Sequence, residues 1–332
     1  MVSLGRLIIN IVAVRVAVTA VVFCVVLPAS GQEPLRTAWG TPDLQGLWDF
    51  RTITPLERPQ DLADQQFLSK EETANQEQEA VDRNEWFLNE EVGRTEAGGN
   101  VGAYNLGIWM DTGTTSTGRT SLIVDPLHGR LPEMTEAARV RITNQPTSYK
   151  DQRYASYTDL SNFDRCITGF NAGPPITPAG YNQNMQLFQT EHYVAVLTEM
   201  IHTARLIPIG SGSHIDESIR QWFGDSRAHW DGDTLVVETE NFNDHTLYFN
   251  WRGSSANMKL IERFRRVDAE TLSYEFTVTD PETWVTPWTA EVPMKRSKLP
   301  LFEYACHEGN YSMEVMLGGA RAEERKAAQG GQ

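Results

Sequence analysis

The side chains with the most chemical potential in this sequence are Glu199, Glu262, Glu303 and His307. In Leu197-Thr198-Glu199-Met200-Ile201 and Leu260-Ile261-Glu262-Arg263-Phe264, a strand would set each glutamate between two apolar neighbours, because side chains repeat every second residue. Leu301, Glu303, Ala305 and His307 share a face in the same way. Burying a polar group without a partner costs about 2–7 kcal/mol, so each of these acids needs a partner or a task. Carboxylates in dry surroundings beside an imidazole are the material of general acid–base catalysis. On that reading Glu262 is the base or acid, His307 its partner, and Glu199 or Glu303 the group that orients them. The competing reading ties each acid to an arginine such as Arg205, Arg252 or Arg263 in a structural ion pair.

Other chemistries have less support. Cys306-His307-Glu308-Gly309-Asn310 gathers a thiol, an imidazole and a carboxylate, but strand neighbours point to opposite faces, which argues against a cysteine protease. The seven histidines include His202, His229, His245 and His307, yet no His-Glu-x-x-His or Cys-x-x-Cys spacing occurs. The expectation is therefore no cofactor, with a divalent metal on His202, His229 and His307 as the alternative. Residues 113–119 lack the Lys-Ser or Lys-Thr ending of a phosphate loop, and there is no Gly-x-Ser-x-Gly elbow. Tyr181, Trp222, Trp230, Trp251, Trp284 and Trp288 either fill a core or line an apolar or sugar-stacking pocket. The expected substrate contacts are Arg252, Trp230, Trp251, Tyr181 and His229.

Those residues need a scaffold, and from 184 onward the pattern is a β meander. Strands are predicted at 185–189, 193–201, 204–209, 227–230, 234–239, 259–267, 272–279, 288–296 and 301–307. Asp231-Gly232 marks a tight hairpin, since that pair accepts the positive φ a two-residue loop requires. Leu272, Tyr274, Phe276 and Val278 alternate with polar residues, as do Trp288, Ala290, Val292 and Met294. Many sequential strands with tight turns favour an up-and-down antiparallel barrel or a strongly curled sheet, because closure removes exposed edges. A two-sheet sandwich is the alternative. Residues 32–120 read as an N-terminal arm, a surface helix at 69–86 with Ser69 and Glu72 at capping-box spacing, and a loop or lid at 93–118. A second short helix is predicted at 133–142 after a strand at 121–125; the barrel-like domain covers 121–318, and 319–332 is a disordered tail.

Residues 1–31 read as a signal peptide, with Arg6 and Arg15, an apolar stretch at 16–27, and Ala29 and Gly31 before the cut. The competing reading is an uncleaved anchor. Without the leader, 27 basic residues face 44 acidic ones, and the net charge moves from -15 to -17. So acidic a surface repels phosphate backbones and anionic lipid, which argues against nucleic acid and against membrane docking after cleavage. The expected location is periplasmic or secreted. There Cys166 and Cys306 either form one long-range disulfide or remain separate buried thiols.

PDLQGLWDF at 42–50, RTSLIVDPLHGRLP at 119–132, RCI at 165–167, IRQWFGDSRAHWDGDTLVVETENF at 219–242, WRGSSANMKLIERF at 251–264, YEFTVTDPETWVTPWTAEVP at 274–293 and EYACHEGNY at 303–311 resemble a family of secreted, largely uncharacterised proteins of soil bacteria. The resemblance implies export and a shared fold, and it supplies no catalytic residue.

Two functions of different class follow. One is an exported enzyme acting on a small aromatic or sugar by hydrolysis, elimination or isomerisation. The other is a lipocalin-like carrier that binds without transforming. Free acids converging with histidine favour the first, and arginine-locked acids favour the second or pure structure.

Overall fold

The computed structural model describes residues 35–62, 64–89, 110–144, 154–244 and 255–330. Two compact units are distinguished, Met1–Gln32 and Glu33–Gln332; the first, with the expected signal peptide, lies outside the described residues. The described residues form ten strands and three α-helices. The strands are β1 (Gly46–Asp49), β2 (Ile123–Asp125), β3 (Asn184–Gln189), β4 (Tyr193–Thr198), β5 (Ala204–Pro208), β6 (Asp225–Asp231), β7 (Thr234–Glu240), β8 (Lys259–Arg266), β9 (Thr271–Thr279) and β10 (Trp288–Arg296). The helices are α1 (Lys70–Asn89), α2 (Glu136–Asn144) and α3 (Ser312–Gly330).

The strands form one antiparallel sheet in the order β5-β4-β3-β1-β10-β9-β8-β7-β6, nearly closed into a barrel with one seam. The predicted barrel is thus present, in a form that only long-range pairing determines. β1 sits between β3 and β10, joining the early hairpins to the late meander. It shares one edge of β10 with β2: β1 takes Lys295 and Arg296, and β2 takes Thr289 and Ala290. Nine strands lie on the closed path. Their eight antiparallel steps, an even number, leave the two edge strands pointing the same way, so the seam must be parallel. It is: Ile209 bridges Ala228 in parallel, and the Gly210 amide donates to the Ala228 carbonyl at 2.8 Å. A parallel pair needs a long crossover, which 209–224 supplies.

The alternation predicted for β9 and β10 holds. Leu272, Tyr274, Phe276, Val278, Trp288, Ala290, Val292 and Met294 are all buried and stack with Phe264 and Trp48 in the barrel interior. Each aliphatic side chain among them larger than alanine contributes about 1.5–3 kcal/mol by burial. The Asp231-Gly232 hairpin forms as expected, with Asp231 opposite Thr234 and Gly232 at φ 57°.

Helix α1 starts where its capping box predicts: Ser69 N–H donates to Glu72 at 2.6 Å and Glu72 N–H to Ser69 Oγ at 3.2 Å. Ala80 is its only buried residue, so it lies on the surface. Two expectations fail. Residues 301–307 form no strand but run into a turn, because β10 already has β9 on one edge and β1 and β2 on the other. The expected tail at 319–332 is instead helical as far as Gly330. Among the described residues no helix is long and apolar enough to cross a membrane.

Candidate functional site

The predicted acids fall on opposite faces of the barrel wall. In β8 the inward phase is Leu260, Glu262, Phe264 and Arg266, all buried, and Glu262 is 0 % exposed. In β4 the inward phase is Val194, Val196 and Thr198, so the chain leaves the strand with Glu199 on the outer side. Glu262 and Glu199 therefore cannot serve one centre.

Inside the barrel, Arg205 of β5 holds Glu262 bidentately, Nη1 to Oε1 at 3.1 Å and Nη2 to Oε2 at 2.6 Å. The Tyr274 hydroxyl donates to Glu262 Oε1 at 2.9 Å and accepts the Ile176 amide at 3.0 Å. Burial, then the charge of Glu262, pushes the Tyr274 phenol well above its usual value. Arg205 continues to Ser226 at 3.4 Å, and Ser226 shares a hydrogen bond with Thr239 at 2.9 Å. This arginine-locked network spans the seam and is closed to a substrate. It matches the competing structural reading of Glu262.

Glu303 and His307 stand exposed around a turn, with neither side chain bonded to Glu262. The turn is tied down by the Cys166–Cys306 disulfide and by Asn310, whose amide donates to the Asp164 carbonyl at 3.1 Å. Among the expected substrate contacts, His229 is half exposed and 3.8 Å from Glu238, and Trp230 packs against the core. Tyr181 meets Phe170 edge-on at 5.1 Å. Trp284 and Trp288 are core fillers, 2 % and 0 % exposed. Arg252, Trp251 and His245 lie outside the described residues. His202 is exposed, and its Nδ1 accepts the Tyr304 amide at 2.8 Å. Among the described residues, no three of His, Cys, Asp and Glu are grouped to hold a metal.

The outer wall carries a different assembly. Strand register aligns Thr271 with Lys295, Lys295 with Asp49 and Asp49 with Asn184. The Glu199 amide donates to the Asn184 carbonyl at 2.9 Å, which extends the same cross-strand row to Glu199. Directly opposed residues project to one face with Cβ atoms about 4.5–5.5 Å apart. At the Lys295–Asp49 end the row floors a cleft of about 490 Å³, walled by Asp111, residues 113–117 and Asn84 of α1. Glu77, two turns before Asn84, accepts the Ser116 amide at 2.9 Å and pins the helix to that wall.

Arg51 is fixed in this cleft. It bonds Asp49 through Nε at 2.9 Å and Nη2 at 2.5 Å, and Asp111 through Nη1 at 2.6 Å. The hydrogen bonds it donates to Asp49, ahead of the charges of Asp49 and Asp111, raise the Arg51 pKa above its ordinary value despite partial burial. Gly113, at φ 73°, lets the loop close on Arg51; a Cβ there would lie 2.9 Å from the arginine's own Cβ. Other polar groups remain unengaged. The Asn84 amide and the Thr114 hydroxyl bond no described residue, and Lys295 reaches only the Thr271 hydroxyl at 3.0 Å, with no salt bridge. No local sequence pattern marks this cleft, because its residues come from four separated segments. Comparison with protein-family models, with curated proteins and with solved structures finds no match for this chain.

Proposed function

We propose that this protein is an exported binding protein for a small, uncharged, hydroxyl-rich molecule of sugar size, held in the outer-wall cleft. The observation that carries this reading is the set of donors and acceptors around the rigid Asp49–Arg51–Asp111 bridge: Asn84 and Thr114, whose side chains bond no described residue, and Lys295, whose ammonium spends one hydrogen bond on Thr271. Its volume of about 490 Å³ falls within the roughly 300–1,000 Å³ of small-molecule sites. Two carboxylates and two cations line it, so the formal charge cancels and a neutral ligand meets no net field. Amide, ammonium and hydroxyl groups together give and accept hydrogen bonds, which vicinal hydroxyls require. A fixed Arg51 leaves little side-chain entropy to lose on binding.

The test is a thermal-shift and calorimetry panel of monosaccharides, disaccharides, polyols, amino acids and nucleosides on the mature protein. A sugar or polyol is expected to raise Tm in the wild type, and Asn84→Ala with Lys295→Met to weaken it about tenfold or more, each lost hydrogen bond being worth roughly 0.5–1.5 kcal/mol. Binding of such a ligand with affinity unchanged in that double variant would place the site elsewhere. A panel in which only charged compounds bind would overturn the ligand class.

A further inference from the structure

Two aromatic rings from distant segments meet at one guanidinium that has no anion. Arg165 Cζ lies 5.2 Å from the centroid of Tyr157 and 5.9 Å from that of Trp222. The backbone amide of Arg165 donates to the Ser161 carbonyl at 3.1 Å, but its guanidinium makes no hydrogen bond or ion pair among the described residues. The two described acids nearest in sequence are spent elsewhere. Asp164 Oδ2 accepts the Ser161 amide and hydroxyl at 3.2 and 2.8 Å, and Asp159 Oδ2 accepts the Ala155 and Ser156 amides at 2.8 and 3.0 Å. The chain carries 44 acidic residues, yet this half-buried arginine pairs with none that is described.

Each of the three segments is fixed from behind. Arg165 stands between Asp164, which closes the turn onto Ser161, and Cys166, which is disulfide-bonded to Cys306. Tyr157 opens a single 3-10 turn, Tyr157–Asp159, with a capping box between Ser156 and Asp159. Just before it, the Tyr154 and Ala155 carbonyls accept from Arg321 of α3 at 3.1 and 2.9 Å. Trp222 follows Gln221, whose amide donates to the Asn241 carbonyl and whose carbonyl accepts the Asn243 amide, both at 2.9 Å. Tyr157 is 56 % exposed and Trp222 half-buried, so the group is open to solutes.

We infer that Arg165, Tyr157 and Trp222 form a binding site for a carboxylate borne on a flat apolar body, the class of the aromatic carboxylic acids. Aromatic rings attract a cation without taking up its in-plane N–H donors, so the fork of the guanidinium stays available. That fork fits carboxylate and phosphate alike through two parallel hydrogen bonds. Charge decides between them. One cation balances a carboxylate, whereas a phosphate group brings a charge of about -1.5 to -2. The excess is repelled by a chain whose own net charge is -15. The rings then supply an aromatic surface for the body that carries the carboxylate. Three pre-ordered backbone segments leave little entropy to lose on binding. The site shares no residue with the outer-wall cleft and does not rest on the reading of that cleft.

The test is calorimetry of the full mature protein with benzoate, acetate and inorganic phosphate. The Nε–Hε resonance of Arg165, assigned by its loss in Arg165→Lys, is followed in parallel. Benzoate is expected to bind with a Kd on the order of 1 mM and to shift that resonance. Acetate, which lacks the ring, is expected to bind about tenfold more weakly. Arg165→Lys keeps the charge but loses the fork, and is expected to weaken benzoate about tenfold or more. Tyr157→Leu and Trp222→Leu are each expected to weaken benzoate about fivefold and to leave acetate within about twofold. A purely electrostatic role for Arg165 does not produce that split. Tyr157 lies largely in solvent, so its variant keeps the split readable if Arg165→Lys or Trp222→Leu folds poorly. No saturable heat with benzoate overturns the inference. Benzoate binding that leaves the Arg165 resonance unmoved overturns it too, and this is the result that an acid lodged in the cleft would give. Acetate as tight as benzoate, or phosphate tighter than benzoate, overturns the ligand class.

Discussion

Arg205 crosses the parallel seam of the barrel to grip Glu262, 2.6 Å from Nη2 to Oε2, with both side chains almost wholly removed from water. The pair joins β5 to β8, which are not neighbours in the sheet. It therefore acts as a cross-brace where backbone pairing is weakest.

Breaking this brace from one side strands a buried charge. Arg205→Met is expected to cost about 3–5 kcal/mol in urea unfolding, and Glu262→Gln a similar amount. Combined, the two are expected to cost less than their sum, by about 1–3 kcal/mol, because the charge that each leaves unpaired is gone. Strict additivity in that double-mutant cycle would show that the two groups are not coupled.

Tyr274 gives the barrel an alkaline limit. Its phenol titrates above the ordinary value of 10.0 in the folded state, chiefly through burial. A raised folded pKa contributes stability that is complete below the unfolded value and is lost as pH climbs from there through the folded one. Urea midpoints between pH 9 and pH 11, taken as about one unit either side of that ordinary value, are expected to fall more steeply in wild type than in Tyr274→Phe. At neutral pH the variant also leaves the Ile176 amide and Glu262 each one bond short, a loss of about 1–3 kcal/mol.

Helix α3 buries none of its residues and depends on tethers at its start and middle. Cys166–Cys306 holds the preceding turn across a separation of 140 residues, and Arg321 donates to the Ala155 carbonyl at 2.9 Å. Reduction, or Cys166→Ser with Cys306→Ser, is expected to lower stability by about 2–5 kcal/mol. Limited proteolysis is the sharper measure, with cleavage at 297–311 appearing only in the reduced protein.

Gly169→Ala tests the packing behind the Glu199 turn. With Met200 Cγ only 2.2 Å from the added carbon, either the methionine or the 160–183 segment must shift, at about 1–3 kcal/mol. A variant as stable as wild type would mean that this contact is looser than the structure describes.

The sequence made some of this visible. β9 and β10 were readable because each has one polar face and one apolar face, and the Asp231-Gly232 turn because few residues accept its backbone. Glu262 was recognisable as an acid in a core phase. Its partner was legible only as one of Arg205, Arg252 and Arg263, since Arg205 lies 57 positions away and nothing local distinguishes it from the other two. Glu199 misled for a physical reason. β4 is apolar on both faces, with Tyr193, Ala195 and Leu197 outside and Val194 and Val196 inside, so alternation alone does not say which side is dry. Residues 301–307 alternate like a strand but find no open edge. The cleft was invisible because Asp49 and Lys295 meet only through strand register, and Asn84 and Asp111 join them from distant segments.

The position of β1 between β3 and β10 has a consequence for how the molecule is made. The first ribbon to leave the ribosome waits for a neighbour that is nearly the last to arrive, so the cylinder cannot finish until almost the whole polypeptide is available. Fragments lacking the final hairpin keep two unsatisfied edges and will seek them in one another, which makes premature termination an aggregation hazard and ties solubility to completion of the chain.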